Sequence, residues 1–392
     1  MNKLEALSVM YGLPTADLRA EYARLGALKV NMITPSLYGS GVTELASTLN
    51  GYFRELGLKS DWSALEADRR FFVLSKKITE ALSLSFNSVT REELKEFKEL
   101  SYSLLLPSDC DILYMHDFHA LIAAEKLKNV KKIYRCHFDI SRANADVWAF
   151  LKPYIESCDG VIFTSPQSHP ALNRRADYIL PSIDPCSVKN TVVGKAEREE
   201  VLKKFGIPLD KPMVLQVSRF DRVKDPFGLI DVFKEVAKNI PSVLVYAGGF
   251  APDDVNASAL YDELKKYAAG RRDIILLSIN RHDYEIAALQ SAADVVVQKS
   301  FSESFGLSIT EALWKSKPVA ASDVGGIRLQ IINNKTGLLC RNNADFASSV
   351  IRLLRDKSLA QRLAAGGKRL VTEKFLITRE LKSHAEIFKK IV

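Results

Sequence analysis

Short apolar runs and helix-period segments take turns along nearly the whole chain, and few architectures satisfy that rhythm. LKVNMIT (28–34) has the length and apolar content of a buried strand, and Val42, Leu45, Leu49, Phe53 and Leu56 then recur at helical spacing. DILYMHD (111–117) precedes the helical HALIAAEKL, KKIYRCH (131–137) precedes NADVWAFLKPYIES, and GVIFTS (160–165) precedes a proline-containing loop. Strands that alternate with helices imply parallel sheets covered on both faces, because each parallel connection must cross over its sheet. After ADYILPSIDP (176–185) a polar stretch interrupts the pattern, which then restarts. MVLQVSR (213–219), SVLVYAGG (242–249), IILLSI (274–279), DVVVQKS (294–300) and KPVAASDV (317–324) read as strands, with helical segments 227–238, 259–269, 284–292 and 307–316 between them. The expected domains are therefore residues 1–184 and 185–375. The final ~45 residues are helical by period and hold no strand, and the closing helix, 376–392, is expected to pack back on the first domain.

A length of 392 residues suits two such domains, and 47% hydrophobic with 26% charged residues excludes a disordered, collagen-like or fibrous chain. The net charge of +8 comes from interleaved signs without a lysine-arginine tract. That suits phosphate-bearing ligands and argues against nucleic acid. Five cysteines with no C-x-x-C pair argue against both a disulfide framework and a thiolate zinc site, and for a reducing cytosol. No apolar run approaches the ~18 residues of a membrane span, and the N-terminus lacks a signal-peptide core. A cytoplasmic protein without integral membrane association is expected.

In open α/β sheets ligands sit beyond the carboxyl ends of the strands. Here those ends deliver Gly39-Ser40-Gly41, His116-Asp117 and His137-Phe138-Asp139 in the first half. The second half offers Arg219 with Asp221, Gly248-Gly249 and Ser302-Glu303-Ser304-Phe305-Gly306. Two such edges most simply face each other across a cleft. The Gly39–Gly41 loop can turn backbone N–H groups toward an anion, or form a tight turn with no ligand. Arg219 and Lys224 can converge on a diphosphate, or be neutralised in solvent by Asp221 and Asp225. Glu303 and Glu311 flank a helix start whose N–H groups at residues 305 to 307 could meet phosphate while the carboxylates accept sugar hydroxyls. The plainer alternative makes Glu303 a charge complementing the helix dipole and Glu311 part of a solvated face. His137 can donate to a sugar hydroxyl or a developing anionic oxygen, or be structural. H-D-F-H at His116–His119 lacks the spacing of a metal-binding helix, so no metal is expected.

The combination of Gly39-Ser40-Gly41, Ser218-Arg219, Lys224-Asp225, Glu303-x7-Glu311 and Gly325-Gly326 resembles the retaining GT-B glycosyltransferases of family 4 across nearly the whole chain. IYRCHFDIS, NADVWAFL, LPSIDP, VSRFDRVKDPFGLI, VVVQKS and TEALWKSKPV are similar, more narrowly, to trehalose glycosyltransferring synthases. The resemblance implies two Rossmann-like domains facing a central cleft, an N-terminal acceptor domain and a C-terminal nucleotide-sugar domain. It also implies glucose transfer from ADP- or UDP-glucose to glucose, giving trehalose with retained configuration and without a cofactor. On it, Glu303 would hold the donor glucose and Glu311 the ribose. Arg219 and Lys224 would hold the diphosphate, joined by Gly39, Ser40, Gly41, Gly248 and backbone around Ser304, Phe305, Gly306 and Leu307. His137, with Asp139, His116 and Asp117, would lie on the acceptor side. Ser40 replaces the middle of three glycines, Ser304 a glycine, and Phe118-His119 a Pro-Gln pair, while residues 78–86 lack the His-Asn and Gln-Gly usual near the acceptor. The departures touch the acceptor most. Another acceptor (lipid, sugar phosphate or protein), a non-catalytic nucleotide-sugar sensor, and a homodimer as the assembly all stay open.

Overall fold

The computed structural model describes residues 2–38, 40–83, 88–249, 257–279 and 282–392. The chain divides into two compact units. The first joins Met1–Pro181 to Ile377–Val392, and the second lies between Ser182 and Leu376.

The first unit is built on a six-stranded parallel sheet of β1 (Lys29–Thr34), β2 (Lys59–Ala64), β3 (Ile112–His116), β4 (Lys131–Arg135), β5 (Gly160–Phe163) and β6 (Asp177–Tyr178). Its spatial order is β2-β1-β3-β4-β5-β6. Val30 of β1 lies opposite Ser60 on one side and Ile112 on the other. Every residue of β3 and β5 is buried, as strands covered on both faces must be. Helices Arg69–Ser83 and Arg91–Ser103 cover one face, where Phe71 and Phe97 stack at 5.1 Å in a core that includes Phe118.

The second unit repeats the plan with β7 (Met213–Val217), β8 (Val243–Gly248), β9 (Ile274–Ser278), β10 (Val295–Gln298), β11 (Val319–Ser322) and β12 (Leu338–Cys340). The order is β12-β11-β10-β7-β8-β9, all parallel. Counted from β7 as first, this is the doubly wound order 3-2-1-4-5-6. Phe220, Phe233, Leu264 and Leu363 belong to its core.

The structure adds three strands to those read from the sequence, β2, β6 and β12, and each lies at a sheet edge. It also shortens one helix. The HALIAAEKL segment forms a 3-10 turn at Phe118–Ala120 and a helix only over Leu121–Ala124, because the N–H groups of Glu125, Lys126 and Leu127 bond three residues back and tighten the chain out of α geometry. The C-terminal region is helical over Asn343–Arg355, Lys357–Lys374 and Ile377–Ile391.

Candidate functional site

In the second unit, β7 and β10 are neighbours whose outgoing connections run to opposite sides, β7 toward β8 and β10 toward β11. Their following loops diverge, and the crevice this leaves is where a doubly wound sheet binds ligands. Each strand carries a buried glutamine that pins those loops. The Gln216 side-chain Oε1 accepts the Lys299 N–H at 2.9 Å, and its Nε2 donates to Ser218 Oγ at 3.2 Å. Gln298 accepts from Ser308 Oγ at 3.0 Å and donates to Ser300 Oγ at 3.1 Å and to Glu303 Oε2 at 3.4 Å.

The same place brings Lys224 and Glu303 together, with Lys224 Nζ 2.5 Å from Glu303 Oε2. Their side chains are 17% and 10% exposed, so water screens the pair only partly. Lys224 ends a 3-10 turn, Arg222–Lys224, after which Asp225 adopts φ 39° and caps the helix Pro226–Asn239 by accepting the Gly228 N–H at 3.1 Å. Lys299 Nζ binds the same Asp225 carboxylate. The backbone on which Lys224 stands is thereby tied to β10 through a nearly buried ion pair.

Glu303 precedes a tight approach of two backbones. A Cβ on Gly326 would sit 1.7 Å from the Ser304 carbonyl oxygen, and the Gly326 N–H donates to the Glu303 carbonyl at 2.8 Å. Gly306, at φ 87°, then starts the helix Leu307–Trp314, and no side chain caps it. Its first-turn N–H groups are thus not taken by a capping side chain, the condition a phosphate requires. The Phe305 ring is buried against Phe375 at 5.3 Å, so only its backbone can serve a ligand.

The other donor-side residues have surroundings of their own. Arg219 is 32% exposed, with its guanidinium 4.0 Å from Asp221. Gly248 has a packing reason of its own, since a Cβ there would lie 2.0 Å from the Ser218 carbonyl oxygen. Glu311 is completely buried, 2.8 Å from Lys189 Nζ and accepting from Gln290 Nε2 at 2.9 Å, while Lys315 Nζ donates to that glutamine at 2.8 Å. Burial works to raise its carboxyl pKa, but the Lys189 and Lys315 charges outweigh this and hold it below the usual value. Glu311 is therefore not a solvated helix face; its partners are Lys189 and Gln290, and it anchors the segment carrying Lys189.

In the first unit Gly39 lies outside the described residues, as do residues 84–87 of the acceptor-side stretch 78–86. Ser40 caps the helix Gly41–Glu55 in a capping box with Thr43, which takes up the N–H groups of Ser40 and Thr43 themselves. His116, Asp117 and His137 do converge beyond β3 and β4. Asp117, at φ 65°, accepts the His137 N–H at 2.7 Å, and His116 Nδ1 lies 2.9 Å from His137 Nε2. Asp139 accepts the Ser141 N–H at 3.1 Å, turning its carboxylate back onto its own loop. Burial first, then the nearby Arg135 charge, hold both histidines well below the ordinary imidazole pKa.

Among the described residues no group of three or more His, Cys, Asp or Glu side chains could hold a metal, and no helix is long and apolar enough to cross a membrane. Sequence reasoning missed Gln216, Gln298 and Lys299, and named Asp225 without its tie to Lys299. Gln216 and Gln298 carried a signal, since a glutamine inside an apolar central strand must find partners nearby.

Residues 32–170 match the family model described as trehalose synthase, N-terminal domain, and residues 197–370 match glycosyl transferases group 1. The chain is 34% identical to a trehalose synthase of Rubrobacter xylanophilus, across 96% of this chain and 94% of that protein. It is 33% identical to a trehalose synthase of Pyrococcus horikoshii, across 92% and 89%. An alpha,alpha-trehalose-phosphate synthase (UDP-forming) from Burkholderia vietnamiensis superimposes with a TM-score of 0.74 at 12% identity, covering 93% of this chain and 98% of that one. That likeness speaks for the fold, which is GT-B. Fold, family models and full-length relatives agree, and the chain belongs to the trehalose synthase family of group 1 glycosyltransferases, as a hexosyltransferase.

Proposed function

We propose that this enzyme transfers glucose from a nucleotide-glucose donor, ADP- or UDP-glucose, to free glucose, forming trehalose with retention of configuration. The observation that carries the donor side is the Lys224–Glu303 pair at the β7/β10 crevice, beside an uncapped helix start. A diphosphate needs cations and N–H groups, and a hexose needs carboxylate acceptors. In this reading the diphosphate draws Lys224 and Arg219, and Glu303 accepts hydroxyl hydrogens of the donor glucose. The bond from the anomeric carbon to the phosphate oxygen breaks as the acceptor oxygen bonds to that carbon on the same face. The departing phosphate oxygen takes the acceptor's proton, leaving the nucleoside diphosphate and the disaccharide. Charge placed in advance at the developing anion supplies much of the rate. His137 lies on the acceptor side. The reading assigns that charge task to the chain's own cations and no resident metal, so a chelator is expected to leave turnover unchanged. Five unpaired thiols fit a cytosolic setting.

Incubation with each nucleotide-glucose and glucose tests the proposal, because trehalose is non-reducing. Its appearance with stoichiometric nucleoside diphosphate is expected. Turnover only with a lipid, sugar phosphate or protein would replace the acceptor, a reading that Phe118-His119 in place of the usual Pro-Gln favours. Calorimetric donor binding without turnover on any acceptor would make the protein a sensor.

A further inference from the structure

His116 and His137 share one hydrogen bond between two ring nitrogens, and the surroundings decide which ring donates. The rings lie within 12° of parallel, with centroids 5.1 Å apart, and Nδ1 of His116 meets Nε2 of His137 at 2.9 Å. His116 is 2% exposed, and its other nitrogen, Nε2, has no hydrogen-bond partner among the described residues. The Tyr114 ring packs beside it at 4.9 Å, but the tyrosine hydroxyl is committed elsewhere. His384 donates from Nδ1 to the Glu380 carbonyl at 2.8 Å, so its Nε2 accepts the Tyr114 hydroxyl at 3.0 Å. Charged groups beside this cluster include Arg135 and Glu380, themselves paired at 2.6 Å, and the Asp117 carboxylate, which accepts the His137 backbone N–H at 2.7 Å.

Two neutral rings allow two arrangements. If His137 donated from Nε2, His116 would carry its proton on Nε2, a buried N–H without an acceptor and near the Arg135 cation. If His116 donates from Nδ1, its Nε2 is a bare lone pair, which a neighbouring cation favours and whose burial costs less than that of an orphaned N–H. We propose that His116 is a positioning residue that locks His137 as the Nδ1–H tautomer, leaving that N–H as the imidazole's only polar group for a substrate oxygen. The role rests on the reading above that His137 meets substrate. It deepens that reading: His137 then serves as a fixed hydrogen-bond donor to a sugar oxygen and cannot accept the acceptor's proton at Nε2. That leaves the departing phosphate as the base.

Long-range 1H–15N correlation spectra of the full-length protein with 15N-labelled histidine test this, and six histidines keep the spectrum assignable by substitution. The wild-type protein is expected to show His137 protonated at Nδ1 and bare at Nε2. In His116→Asn the amide nitrogen takes the place of Nδ1 and can still donate, so the tautomer is expected to persist and most transfer to remain. In the isosteric His116→Leu the tautomer is expected to become mixed and transfer to fall at least ten-fold, mainly in kcat. A wild-type His137 protonated at Nε2, or an unchanged tautomer in His116→Leu, would overturn the proposal. If His116→Leu does not fold, the wild-type spectrum alone decides. A folded His116→Leu protein that has lost the tautomer but keeps wild-type transfer would uphold the tautomer lock and sink the substrate role of His137, so the two failures are distinguishable.

Discussion

Glu303 and Glu311 come from one short segment, yet their surroundings give them opposite work. Glu303 is at the crevice mouth with Lys224, whereas Glu311 is enclosed with Lys189 and Gln290. Lys224→Ala is expected to lower glucose transfer at least ten-fold, corresponding to about 1.5–3 kcal/mol for one charge-assisted contact, without changing the thermal midpoint by more than a degree or two. Wild-type steady-state kinetics in that variant would remove the diphosphate assignment. Glu303→Ala should abolish transfer while leaving a folded protein. Glu311→Ala is expected to act the other way round, on stability first. It strands Lys189 beside a buried cavity, and breaking such a pair costs about 3–5 kcal/mol. Urea unfolding of the second unit reads that loss, and a midpoint equal to wild type would mean that the Lys189 contact contributes nothing.

At the level of elements, what could be read from the chain depended on where each strand sits. Central strands such as β8 (VLVYAG) are buried along their whole length and announce themselves as apolar runs. β2 (KSDWSA) alternates between buried and exposed because a sheet edge is covered on fewer sides, β6 has only two residues, and β12 (LLC) has three. Such edges are fixed by their neighbours and leave little trace in composition. The site divides similarly. Lys224 and Glu303 were legible because each follows a strand end, but the burial of Glu311 was not, because its partner Lys189 lies in a separate 3-10 turn, Val188–Asn190, far upstream. The loop holding Glu303 also depends on Gly326 for a reason of contact rather than conformation. Gly326→Ala would press a methyl group onto the Ser304 carbonyl, so the 303–306 loop has to shift. The expected cost is about 1–3 kcal/mol of stability, as for other overpacked sites, with transfer reduced more than donor-independent properties. Full activity with an unchanged urea midpoint would show that the loop accommodates the methyl freely.

For the molecule as a whole, the C-terminal helix Ile377–Ile391 makes the first unit chemically unlike the second. It returns to the first unit carrying Glu380 and His384, which meet Arg135 and Tyr114 in that unit's interior, and Tyr22 donates to its Leu381 carbonyl at 2.8 Å. His116 and His384, both buried, and the partly buried His137 are thereby gathered in one unit, each held neutral by desolvation and by Arg135. The second unit has only His282, half exposed at a helix start. For His384 the pKa falls from 6.5 to about 4 on folding. As pH drops below 6.5 the unfolded chain therefore binds a proton that the folded one refuses, so stability is lost across the window from 6.5 down to about 4. This residue alone removes about 2 kcal/mol by pH 5, and the other two histidines act in the same direction. Acid is therefore expected to loosen the first unit before the second. Hydrogen exchange read by mass spectrometry at pH 7 and pH 5, corrected for intrinsic rates, should show protection falling in β3 and β4 while β7 and β10 hold theirs. Equal loss in both sheets, or none in β3 and β4, would mean that the buried imidazoles are not what sets the acid limit.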